Sequence, residues 1–120
     1  MDGVETYQDA AQLPAPELHT LLHSKRPEQR VWALWALALR SGGDIRELAA
    51  ETDAEPHAGV RRVRAIVLAA HGDLERVRRL AREDGDPRVR ATARELLDRI
   101  GDRIGDRIGD RIGDRIGDDD

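Results

Sequence analysis

The feature that most constrains this chain is an internal repeat. Gly43-Asp44, Gly72-Asp73 and Gly101-Asp102 recur at an interval of 29 residues, and Val31, Val60 and Val89 keep the same interval. So do Leu39, Leu68 and Leu97, the trio Leu34, Val63 and Thr92, and the trio Ala38, Val67 and Leu96. A fixed period of about 20 to 50 residues marks stacked units, none of which buries its apolar face alone.

Each copy reads as a pair of helices. Val89, Ala93, Leu96, Leu97 and Ile100 fall at i, i+4, i+7, i+8 and i+11, one face of an α-helix. Val60, Val63, Val67 and Leu68 repeat that face in the second copy. The Gly-Asp step reads as the turn between helices, Gly taking the left-handed conformation and Asp capping the next helix. Glu47, three residues after Asp44, adds a capping-box spacing. The alternate helices carry Ile45, Leu48, Ala49 and Thr52, then Leu74, Val77 and Ala81. Pro27, Pro56 and Pro87 stand at the entry to the inner helices, where a missing N–H costs nothing.

Composition narrows the function classes. Aromatic residues are 2% of the 120, namely Tyr7, Trp32 and Trp35, so the core must be small and aliphatic. The absence of cysteine removes disulfides, Cys-ligated metals and thiol catalysis. Lys25 is the single lysine, and Ser24 and Ser41 the only serines, which leaves no nucleophile, base and orienting group to converge. No catalytic residue, metal or cofactor is therefore expected. The longest apolar run, Val31 to Leu39, has nine residues where a span needs about 20. Asp2, Glu5 and Asp9 at the start lack the basic region of a secretory signal. These features predict a soluble cytoplasmic protein without membrane contact.

The stretch from Asp86-Pro87-Arg88-Val89-Arg90 through Glu95-Leu96-Leu97 to Gly101-Asp102 resembles the second half of a short bacterial HEAT repeat of the phycobilisome-lyase HEAT-like type. Pro56 to Asp73 keeps the Val60-Arg61 and Gly72-Asp73 elements, while the first copy departs by placing Trp32 where the others have arginine. The resemblance spans about residues 16–102. It implies an all-α fold, a right-handed α-solenoid of about three HEAT-like helix pairs. It also implies that Arg61 and Arg90 order the stack by pairing with neighbouring acidic residues. No residue here matches a catalytic role, so lyase activity is not carried over.

Three segments result: a flexible N-terminal stretch, 1–15, of which 1–12 are loose or a short helix; the repeat domain, 16–102; and a low-complexity tail, 103–120. Leu18, Leu21 and Leu22 are expected to face inward from the first helix of the domain. In the tail the tetrad Asp-Arg-Ile-Gly runs five times from Asp98. Glycine at every fourth position costs about 1 kcal/mol each against alanine in a helix, and the i, i+4 neighbours are like charges. An autonomous helix is not expected there.

Charge is uneven: residues 1–59 carry a net −5, 60–100 a net +4 and 101–120 a net −3. Arginine supplies the positive segment, and guanidinium forks bind carboxylate and phosphate in a bidentate way. The alternative for such a face is solvation with local pairs such as Glu75–Arg79 and Arg79–Glu83. Trp35 reads as core and Trp32 as a border residue in register with Arg61 and Arg90. The expected function is a non-catalytic protein–protein interaction module, an adaptor or scaffold for an acidic protein partner. Its expected partner-binding residues are Trp32, Arg61, Arg64, Arg90 and Arg94. Two alternatives stand beside it: a nucleic-acid-binding HEAT-like module using the arginine face, and an accessory subunit of a lyase-type enzyme. Nucleic acid is disfavoured by the net charge of −4 and the absence of interleaved aromatics. His19 and His23 have the i, i+4 spacing of a metal pair but no third ligand in sequence.

Overall fold

A computed structural model of the chain describes residues 3–42 and 44–116, with side chains described through Gly101. The described residues form helices and connecting turns, with no strand. The helices are α1 (Tyr7–Ala11), α2 (Ala15–Leu21), α3 (Pro27–Arg40), α4 (Arg46–Glu51), α5 (Ala58–Ala70), α6 (Leu74–Glu83) and α7 (Pro87–Ile116).

Helices α3, α5 and α7 form a row, with α3 against α5 and α5 against α7. Helices α1 and α2 pack on α3, and α6 packs on both α5 and α7. Polar links show that α3 and α5 run parallel. Arg30, near the start of α3, reaches Glu55 before α5, and Ser41 Oγ, at the end of α3, lies 3.2 Å from His71 Nε2 at the end of α5. The core between the layers is aliphatic: Leu18, Leu21, Leu34, Leu68, Val77 and Val89 are its largest fully buried apolar side chains.

Residues 1–12 were expected to be loose or a short helix within a flexible 1–15 segment; the described part contains the short helix α1 and is packed on α3. Thr6 and Asp9 form a reciprocal capping box at the start of α1, and Val4 and Ala10 are buried. Gln29 Nε2 donates to the Val4 carbonyl at 2.9 Å, and the Arg40 fork donates to the carbonyls of Leu13 and Ala11. Long-range side chains thus satisfy the backbone of a segment too short to fold alone.

The register of the first copy also differs from the sequence expectation. Helix α7 begins 29 residues after α5, but α5 begins 31 after α3. Burial follows the longer offset: Gln29, Ala33 and Leu37 in α3 take the buried places of Val60, Arg64 and Leu68 in α5. The two extra residues lie where α3 ends. That helix has 14 residues against 13 in α5, and three residues rather than two then precede the aspartate. Leu39, aligned by sequence with the buried Leu68, is consequently 69% exposed.

The Gly-Asp step also plays two different parts. Gly42 (φ +67°) and Gly72 (φ +80°) take the left-handed conformation that closes α3 and α5, while Gly43 lies outside the described residues. Gly101 instead lies inside α7, which continues to Ile116 through a segment where no autonomous helix was expected. Extension of a helix already docked from Pro87 onward avoids the nucleation cost that an isolated segment would bear. The tail's side chains and its last four residues lie outside the described set, and with them the expectations placed on them.

Candidate functional site

The inner helices are tied together by a repeated arginine device. Arg30 Nε and Nη2 donate to the two carboxylate oxygens of Glu55 at 2.7 and 3.0 Å, and its Nη1 donates to the Ser24 carbonyl at 2.8 Å. Arg61 grips Asp84 in the same bidentate way at 2.9 and 3.1 Å, and its Nη1 donates to the carbonyls of Glu55 and Pro56. Arg90 Nη1 donates to the Asp84 carbonyl at 2.6 Å. Each arginine therefore satisfies a carbonyl six residues earlier, and the first two also clamp the acidic residue before the next inner helix.

Both clamped carboxylates are largely buried. Burial alone would push the Asp84 carboxyl up, but the Arg61 fork and the Asp86 amide outweigh it and hold Asp84 below the ordinary aspartate value. Glu55 follows the same pattern, with Arg30 and the His57 amide overcoming desolvation. The hydrogen bonds to Asp84 in turn raise the Arg61 guanidinium.

These contacts separate the five residues expected to bind a partner. Arg61 is a stack clamp, with its fork consumed internally. Arg64 is 4% exposed and points into the layer interface, where Nε donates to Thr52 Oγ1 and Nη2 to the Ala49 carbonyl, each at 3.0 Å. It cannot lie in an exposed row. Arg90 is half-buried on α7 and spends its Nη1 on the Asp84 carbonyl. Arg94 is exposed with no ion pair among the described residues, in the place that Ala65 of α5 buries. Trp32 is half-buried against the core, in register with Val63 and Thr92 and not with Arg61. The Trp32/Arg61/Arg90 row is thus not assembled, because the 31-residue offset puts Arg30 in the first place of that row.

The exposed aromatic is Trp35, which sequence patterning assigned to the core. It is 38% exposed, and Ile66, its counterpart on α5, is 37% exposed. With Leu39 one turn further along α3, these are the large apolar side chains that the described residues leave in solvent. Arg62, one turn before Ile66, is exposed and donates to Thr92 Oγ1 at 3.0 Å. The signal for Trp35 was present in the sequence: Val31–Leu39 is apolar nearly all round, more than a helix with one covered face can bury.

Helix α6 turns Arg78, Arg79 and Arg82 outward, and none of the three forms an ion pair among the described residues; the sequence pairs Glu75–Arg79 and Arg79–Glu83 do not form. His19 Nδ1 lies 3.0 Å and His23 Nε2 3.6 Å from Glu51, a carboxylate brought from α4. No group of three His, Cys, Asp or Glu among the described residues is arranged to hold a metal ion. No helix among them is long and apolar enough to cross a membrane. No protein-family model, curated protein or solved structure matches the chain.

Proposed function

We propose that this chain is a non-catalytic protein-interaction module, a short right-handed solenoid of HEAT-like pairs: α2 with α3, α4 with α5, and α6 with α7. The 29-residue period and the recurring arginine-to-carbonyl contact support the solenoid. Its binding face is the outward side of α3 and α5, and its partner is an acidic protein. The observation that carries this reading is the stripe of Trp35, Leu39 and Ile66, left in solvent by a chain with three aromatic residues in all. Exposed tryptophan is the residue type most enriched at binding hot spots. Arg62 beside Ile66 supplies a cation at the edge of the stripe.

Capture experiments with the full chain test this. The native protein should retain an acidic partner after nuclease treatment. The double variant Trp35→Ala/Ile66→Ala should lose capture at least about tenfold, the scale of one hot spot, with an unchanged circular-dichroism melt. Undiminished capture by that variant would place the interface elsewhere.

One observation favours a second reading. The unpaired Arg78, Arg79 and Arg82 on α6 could contact nucleic-acid phosphates. Binding through them would fall steeply with salt and vanish with nuclease, and Trp35→Ala/Ile66→Ala would leave it intact.

A further inference from the structure

Arg64 is a buried cation in a place where the fold does not need one. In the shared register of the inner helices its position is Ala33 in α3 and Ala93 in α7, both fully buried. A site that accepts alanine twice gains nothing in packing from a desolvated guanidinium, which is rarely buried without a strong countercharge. The countercharge here is weak. The Asp53 carboxylate is 3.4 Å from Nη2 and its side chain is 67% exposed, so water screens it. The other acceptors, Thr52 Oγ1 and the Ala49 carbonyl, are neutral. Burial draws the Arg64 guanidinium below the ordinary arginine value, and Arg76 and Arg79 add to that effect against Asp53 and Asp73.

The remaining edge of this guanidinium is open. Nη1 makes no hydrogen bond, yet no buried side-chain nitrogen or oxygen among the described residues lacks a partner, so Nη1 reaches solvent. Arg64 lines a cavity of ≈ 180 Å³ beside α6. Two other arginines of its wall are already committed, Arg61 to Asp84 and Arg76 to Asp73 at 2.6 Å. Arg79, also in the wall, is exposed and forms no ion pair among the described residues. Asp53 and Glu83 in the same wall oppose an anion, while Asp84 is engaged by Arg61.

We propose that this cavity binds a compact oxyanion, a phosphate or carboxylate group, held between Arg64 and Arg79. Guanidinium groups match such anions in geometry and charge. An anion there would supply the countercharge that Asp53 provides only in part. The proposal is independent of the protein-binding face, which lies on the opposite side of α5.

The test is calorimetric titration of the full chain with inorganic phosphate and, separately, with succinate, against chloride at matched ionic strength. Saturable binding of either is expected; phosphate alone would identify a phosphoryl ligand, and succinate alone a carboxylate. Arg79→Ala should weaken it about tenfold, the loss of one charge-assisted contact, with no change in Tm. Arg64→Ala, which restores the alanine of α3 and α7, should abolish it. Arg94→Ala, equally unpaired but outside the cavity, should bind as the native chain does, and so should Trp35→Ala/Ile66→Ala. If Arg64→Ala fails to fold, the contrast between Arg79→Ala and Arg94→Ala decides. No saturation by either anion, or an equal loss in Arg94→Ala, would overturn the proposal.

Discussion

Helices α3 and α5 occupy neighbouring places in the same row, yet they agree at one set of positions and part at another. Arg30 and Arg61 make the same clamp, and Leu37 and Leu68 fill the same core place. At the next positions Ala33 faces Arg64, and Trp35 faces Ile66. Where the two helices agree, the residues hold one layer to the next. Where they part, the fold has accepted either residue, so the choice reflects something other than packing. This is why Arg64 and Trp35 carry functional proposals and Arg61 does not.

The contrast can be broken most severely at the clamps. Asp84→Ala leaves Arg61 partly buried without its carboxylate and should cost about 3 kcal/mol in urea unfolding, the usual scale for a broken buried pair. Arg90→Ala, at the open end with one carbonyl contact, should cost less than about 1 kcal/mol. Equal losses in the two variants would mean that the ladder does not distinguish interior from end.

Acid should expose the same clamps through pH. Glu55 and Asp84 both have folded pKa values below their unfolded ones. Their contribution is therefore fully present above the unfolded values, about 4.3 and 3.9, and is lost as pH falls through the lower folded values. Stability should decline below about pH 4, and Glu55→Gln/Asp84→Asn should flatten that decline. The half-buried Asp86, held to about 2 chiefly by its Arg88 hydrogen bond, titrates in the same direction.

Smaller effects sharpen the other half of the comparison. Arg64→Ala should change stability by less than about 1 kcal/mol in either direction, since α3 and α7 bury alanine at this place and the countercharge it would leave, Asp53, is exposed and screened by water. A loss above about 3 kcal/mol would make Arg64 a structural residue. Leu39→Ala should move the melt by no more than about 0.5 kcal/mol, while Leu37→Ala two residues away should cost about 2 kcal/mol or more. Truncation after Asp102 should have the least effect of all, with an almost unchanged Tm for the body of the protein.

Much of the core was legible because helical periodicity is a local property. Val60, Val67, Leu68, Val77, Ala81, Val89 and Ala93 were assigned to buried faces and are buried, as are Leu18 and Leu21 in α2 and Leu22 just after it. The site was less legible. Trp35, expected in the core, is exposed while Trp32 stays half-buried at the border, because a two-residue lengthening at the end of α3 rotates that helix against its neighbours by roughly half a turn. Nothing within α3 records that rotation, since the helix is apolar on nearly every side. The Arg30–Glu55 clamp was missed for the same reason: a fixed 29-residue alignment puts Trp32 where Arg61 stands.

By itself the sequence determined that this chain is helical, that its apolar pattern recurs at 29 residues, and that its core is aliphatic. Those properties arise from residue spacing and backbone chemistry within a few turns. Only the tertiary structure decided which arginines are consumed and which remain open. That outcome depends on carboxylates 23 to 25 residues away, Glu55 for Arg30 and Asp84 for Arg61. It also depends on the packing that buries Arg64 where its sister helices carry alanine. A guanidinium reads the same in any sequence; its partners, and the water it has lost, are set by the fold.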